Sequence, residues 1–377
     1  MRLVKSLLLA STLLSTSTLV ANAEIKVVAS IKPVHSLVSA VMEGVGTPDL
    51  IVEGAASPHT YALKPSQAVK LENADVVFWI GHEIESFLEK PLEAIATKAK
   101  AVELIDAHDL VKLEFREGGA FREHDHGHGE EHADHDDHDH EVKAEKDHDH
   151  DHDHEVKAEK DHDHDHDHEV KAEKDHDHDH DHEVKAEKDH DHSEHAGHEG
   201  HDHGEFDSHV WLDPINAKAL VHEIEETLAK ADPANADKYE ANADAVMKRL
   251  DGLVTELSAS LEPVKGKGFI VFHDAYQYFE NRFGLTASGS ITISPEVQPG
   301  AERISELQDK VKELKATCVF SEPQFEPKLV ATVTEGTQAK TGVLDPLGTS
   351  IEDGPELYFT LLSDMADSFR TCLSEAS

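Results

Sequence analysis

The sequence predicts an α/β protein of two lobes, each built on a parallel-type sheet. One long helix joins the lobes, and a disordered His/Asp-rich insertion interrupts the chain. Three observations carry this reading. Residues 24–121 and 263–377 each alternate short apolar runs with helical periodicity. A helical pattern restarts at Asp232-Pro233 and keeps one apolar face as far as Leu261. Residues 122–207 hold 25 of the 32 histidines, mostly in the alternation Asp-His-Asp-His.

In the first lobe, 25–30 is a short apolar strand, and Pro33 opens a helix that runs to Met42. Residues 49–52 form a second strand, followed by the loop 53–60. Pro65 takes the first position of the next helix, where its missing N–H leaves no bond unmade. A strongly apolar strand at 75–80, a helix at 84–96 and a strand at 101–104 complete this part. Residues 208–232 return to the same lobe with a helix from Pro214 to Lys230. The long helix, 233–262, carries its apolar face on Ala245, Val246, Leu250, Leu253, Val254, Leu257 and Leu261. At 1.5 Å per residue it spans about 40 Å, enough to cross between lobes. The second lobe then reads strand 268–272, helix 275–282, strand or extended link 285–293 and helix 299–314, followed by strand 317–321, helix 326–335, strand 342–344 and helix 355–372.

In the insertion the block EVKAEKDHDHDHDH starts at Glu141, repeats at Glu155 and Glu169, and begins again at Glu183. Almost no large apolar side chains are present to offset the entropy of ordering it. An acidic solvated spacer needs no histidine, whereas imidazole is a good ligand for zinc, copper and nickel. The tract is therefore read as metal-binding, with sites weaker than a pre-formed cleft. The net charge is −43, of which −26 falls within 122–207. Such a chain seeks cations and avoids nucleic acid and anionic lipid.

Residues 1–23 read as a secretory signal: Arg2 and Lys5, a short apolar run, then Ala21-Asn22-Ala23 with cleavage before Glu24. In an exported protein the two cysteines, Cys318 and Cys372, are most simply a disulfide tying the last helix to a strand. The sequence contains no GxxxxGK[ST] loop, no GxGxxG, no nucleophile elbow and no HExxH. Neither a nucleotide site nor an enzyme is expected.

Seven histidines lie outside the insertion: His35, His59, His82, His108, His209, His222 and His273. His59 follows the second strand, His209 precedes a helix and His273 follows the strand 268–272. Ligands of α/β proteins bind beyond the carboxyl ends of the strands. Three imidazoles converging there with one oxygen ligand make a tetrahedral zinc-type site. Asp345, also after a strand, is the protein's candidate for the fourth position. Asp274 and Glu322 are candidates for carboxylates that hold a ligand imidazole from behind. His35 sits near the same cleft, while His82 and His222 read as cap or solvated residues. Trp79, Trp211 and Phe272 read as packing.

These residues carry a family resemblance. The motifs are Ile31-Lys32-Pro33-Val34-His35-Ser36-Leu37, Gly54-Ala55-Ala56-Ser57-Pro58-His59-Thr60-Tyr61 with Lys64-Pro65-Ser66, Asp207-Ser208-His209-Val210-Trp211-Leu212-Asp213-Pro214, and Phe272-His273-Asp274-Ala275-Tyr276. Over about 24–110 and 205–373 the chain resembles the ZnuA-like periplasmic zinc-binding proteins of bacterial ABC transporters, in the cluster A-I metal-binding family. The resemblance implies metal ligation by His59, His209 and His273, with Asp345 or water fourth. The glutamate that some zinc-specific members place before the first histidine is Pro58 here. It also implies a Cys318–Cys372 bond, a rigid joining helix and a monomer that hands Zn(II) as transported ligand to a membrane permease, with ATP hydrolysed elsewhere. A manganese or iron importer of the same fold, a stand-alone zinc buffer and an exported zinc hydrolase are the competing readings.

Overall fold

The computed structural model describes residues 24–116, 206–292, 295, 299–313, 318–325 and 328–374. The predicted signal, almost all of the predicted insertion, and the predicted element ends at 293, 314, 317 and 326 lie outside them.

The first sheet contains β1 (Val27–Ala29), β2 (Asp49–Leu50), β3 (Val76–Trp79) and β4 (Lys100–Glu103), all parallel, in the order β2-β1-β3-β4. The second contains β5 (Phe269–His273), β6 (Gly289–Thr292), β7 (Cys318–Ser321) and β8 (Lys340–Val343), again all parallel, in the order β6-β5-β7-β8. The interior strands β1, β3 and β5 are buried throughout, as the apolar runs Val-Val-Ala, Val-Val-Phe-Trp and Phe-Ile-Val-Phe require.

Helices α1 (Lys32–Val41), α2 (Pro65–Asn73), α3 (Ser86–Ala94) and α4 (Pro214–Ala231) belong to the first lobe. Pro33 and Pro214 stand in the first turns of α1 and α4. The Asp213 side chain caps α4 by accepting the Ile215 N–H. Helices α6 (Gln277–Phe283), α7 (Ala301–Glu313), α8 (Lys328–Thr334) and α9 (Leu357–Ser374) surround the second sheet.

Between the lobes runs α5 (Ala236–Leu261), preceded by a 3-10 turn at Pro233–Asn235. Its buried face is Tyr239, Ala243, Val246, Leu250, Leu253, Leu257 and Leu261, at spacings of three and four. Ala245, assigned to that face from the sequence, is exposed instead. The helix packs against α1 and α4 on one side and α9 on the other. Further bonds cross directly between lobes. The Lys32 ammonium donates to the Ile351 carbonyl at 2.8 Å and pairs with Asp353 at 3.0 Å. The Tyr358 hydroxyl donates to the Trp211 carbonyl at 2.6 Å. One apolar core runs through both lobes, so the cleft has little freedom to open. Cys318 on β7 is bonded to Cys372 on α9, the pairing that residue count and compartment predict. No helix among the described residues is long and apolar enough to cross a membrane.

Candidate metal centre

The second sheet reverses its strand order at β5 and β7, because the chain leaves these two neighbours in opposite directions. The crevice beyond their carboxyl ends is where such a sheet binds ligands. His273 is the last residue of β5, and Glu322 directly follows β7. The Glu322 Oε1 atom accepts from His273 Nδ1 at 2.7 Å. His209 stands just before the 3-10 turn Val210–Leu212 that leads into α4. Two residues earlier, Asp207 Oδ1 accepts from both the His209 backbone N–H at 3.0 Å and its Nδ1 at 2.7 Å. This is the short local bond that aspartate makes to the residue two positions on. His59 lies in the 3-10 turn Pro58–Thr60, in the loop after β2.

One ring nitrogen from each of His59, His209 and His273 falls within 4.8 Å of the others. The Nε2 atoms of His209 and His273 are 3.4 Å apart. Two ligands on a tetrahedral zinc with bonds of 2.0–2.1 Å are separated by about 3.3–3.4 Å. The cavity between the rings is about 10 Å³, about what one ion or water needs. Ile84, Trp211, Phe325 and Leu347 form the apolar part of its lining.

Both Nδ1 atoms are committed to carboxylates, so both Nε2 atoms point at the gap. Burial and the neighbouring His273 drive the His209 pKa well below its usual value. Burial also pulls His273 down, but Glu322, with Asp274 and Asp207 adding to it, more than offsets this and leaves His273 raised. Burial pushes Asp207 up to about 7 against the pull of its bond to His209, Arg116 and His273. The surroundings thus favour a positive charge on His273 over one on His209.

The remaining sequence candidates divide clearly. Glu322 holds His273, one of the three grouped histidines, as its position after a strand suggested. Asp274 does not; its carboxylate is paired with Arg116. The carboxylate behind His209 is Asp207, which sequence analysis placed at the end of the insertion. It is fully buried and part of the fold. Its Asp-x-His spacing was the available signal. Asp345 lies outside the three-histidine group. Its oxygens accept from the backbone N–H groups of Leu347, Gly348 and Thr349 and from the side chains of Thr349 and Gln324. His35 is buried with Nε2 on the Pro48 carbonyl at 3.1 Å, away from the group. His222 is exposed on α4. His82 forms a second group with Glu83 and Glu103, but each of its nitrogens already faces a different carboxylate at 3.3 Å. Its slight burial lowers the pKa, but the bond to Glu103 and the charges of Glu83 and Glu103 outweigh that and leave it raised.

Two parallel-sheet lobes, a long joining helix and a three-histidine pocket define a metal-binding protein of the solute-receptor class. The chain belongs to the ZnuA family: residues 27–372 match the family described as "ZnuA: Zinc-uptake complex component A periplasmic". It is 52% identical over 343 residues to the "High-affinity zinc uptake system protein ZnuA" of Brucella suis biovar 1 (strain 1330), covering 91% of this chain and 90% of that one. It is 33% identical over 342 residues to the protein of the same name from Yersinia pestis, covering 90% and 89%. Among solved structures, a zinc-bound 138-173 deletion mutant of ZnuA superposes with a TM-score of 0.64 at 22% identity, covering 94% of this chain and all of that one. FpvC from Pseudomonas aeruginosa in complex with Mn2+ superposes equally, at 0.64 and 17% identity, with the same coverage. At such identities the likeness is one of fold. The same fold holds different metals, so the choice of ion rests on the site. Members of the family are periplasmic binding components and not enzymes, and this chain is one of them.

Proposed function

We propose that this protein captures one Zn(II) ion on His59, His209 and His273 and delivers it to the membrane permease of a zinc ABC uptake system. The observation that carries the reading is the 3.4 Å separation of two Nε2 atoms beside a third imidazole, around a cavity of about 10 Å³. Three imidazoles favour zinc, whereas manganese prefers carboxylate and water oxygens. Water takes the fourth position, since the Asp345 oxygens are already engaged by its own loop. The protein acts as a monomer, binds no nucleic acid and hydrolyses no ATP. The His/Asp-rich insertion gathers further Zn(II) at lower affinity, because every ion bound there must order flexible chain.

The test is a chelator-competition titration of the intact protein beside one lacking residues 125–199. The deletion stops short of Phe206 because Asp207 holds His209. One tight zinc should survive the deletion while the weaker ions disappear, and manganese in excess should not displace it. Loss of the tight site with the fold intact, or its displacement by manganese, would contradict the proposal.

A further inference from the structure

A guanidinium stands among the carboxylates behind the centre. Asp274 directly follows His273, and Glu280 lies on α6. Arg116 Nε donates to both Asp274 oxygens, at 3.1 and 3.0 Å. Its Nη1 and Nη2 donate to the two Glu280 oxygens, at 2.9 and 3.0 Å, and Nη2 also reaches Asp274. The side chains of Arg116, Asp274 and Glu280 are 18%, 11% and 3% exposed. The backbone around Arg116 is tied to the other ligand. Glu114 forms a bridge with Phe206, and the Asp207 N–H donates to the Leu113 carbonyl at 2.8 Å. The Tyr278 hydroxyl of α6 accepts the Leu113 N–H at 3.0 Å and donates to the Asp207 carbonyl at 2.6 Å. The segment 113–116 thus lies between the stretch carrying His209 and the turn carrying His273.

We infer that Arg116 is a positioning residue of the metal centre, which fixes the His273 turn of one lobe against the His209 segment of the other. The inference rests on the zinc reading above. Arg116 bonds carboxylates. It acts through Asp274, whose backbone continues from His273, and through α6. A forked guanidinium is suited to this because it fixes the angle as well as the distance of two carboxylates, which an ammonium cannot do. Groups bonded directly to a ligand typically change metal affinity 10- to 100-fold when lost, and a residue one step further back should do less.

The experiment compares Arg116→Lys, Arg116→Met and Arg282→Met, each loaded with zinc and, separately, with cobalt(II) as a spectroscopic probe. Arg282 also makes a forked ion pair between α6 and the start of α4, with Asp213 at 2.7 Å, but it adjoins no ligand. Arg116→Met should bind zinc roughly 3- to 10-fold more weakly and shift the visible bands of bound cobalt. Arg116→Lys keeps the buried cation, folds, and should show a smaller loss in the same direction. Arg282→Met should lower thermal stability with zinc affinity and cobalt spectrum unchanged. If Arg116→Met does not fold, the lysine variant carries the test. Wild-type affinity and spectrum in the Arg116 variants that fold, or an equal change in Arg282→Met, would overturn the inference. Failure of the zinc reading itself would look different: the unmutated protein would show no histidine-ligated cobalt at all.

Discussion

The Nε2 atoms of His209 and His273 face one another at 3.4 Å, each ring held from behind by a buried carboxylate, Asp207 or Glu322. A proton and a metal ion therefore compete for one gap. Because Glu322 raises the His273 pKa above its ordinary 6.5, zinc binding must expel that proton. Zinc affinity should hold at alkaline pH and fall as pH drops through the raised His273 value, by about tenfold per unit for one proton. Glu322→Gln removes the carboxylate that holds the proton. Its fall should move to lower pH, while affinity at pH 8 drops roughly 10- to 100-fold. Chelator competition from pH 5 to 8 reads both effects, and an unmoved pH midpoint would count against this electrostatic account.

Asp207→Ala should also weaken zinc roughly 10- to 100-fold, since it removes both bonds that orient His209. The alanine leaves two buried donors without a partner, so some stability should be lost as well. Titration alongside thermal melts of the metal-free protein separates the two effects. Unchanged zinc affinity would show that His209 does not depend on this carboxylate.

Glu85 offers a test of stability away from the metal. It is fully buried and takes the Ile80 and Gly81 N–H groups on Oε2. Burial raises its pKa from 4.5 to about 7, against the pull of its hydrogen bonds. Between those values the folded state holds a proton that the unfolded chain has lost, so the contribution to stability falls as pH rises from 4.5 through 7. Glu85→Gln has no proton to lose. Relative to the parent it should gain roughly 3 kcal/mol between pH 5 and pH 8. Urea unfolding of the two metal-free proteins at both values measures the difference, and a gap that does not widen with pH would refute it.

The Cys318–Cys372 bond closes a loop of 54 residues and should contribute roughly 4 kcal/mol by restricting the unfolded chain. Thiol counting on denatured, unreduced protein should return zero. Gly342→Ala should destabilise the same corner, because a Cβ there would stand 2.5 Å from the Phe320 ring and 3.4 Å from Cys372 Sγ. A melting temperature equal to the parent's would show that the ring can move aside.

Much of the fold was legible in the sequence where burial is two-sided. Strands β1, β3 and β5 are uninterrupted apolar runs and were placed within one or two residues. The edge strands β4 and β8 begin with the exposed Lys100 and the half-buried Lys340, and were read as starting one or two residues late. An edge strand has less apolar pattern to read. The three histidines were legible from their places beside strand and helix ends. Asp207 was not, because it closes an acidic run in which composition marks every aspartate alike. Arg116 was not, because its partners are 158 and 164 residues away. Only the fold brings them together.

The position of the bound ion tests zinc capture by the three histidines most directly. Crystals of the zinc-loaded protein, measured on both sides of the zinc absorption edge, should show one strong anomalous peak in the cleft. Nε2 of His209, Nε2 of His273 and a ring nitrogen of His59 should lie 2.0–2.1 Å from it, with water completing a tetrahedron. A peak bound by fewer than two of these imidazoles, or cleft density that requires a ligand set without them, would contradict it.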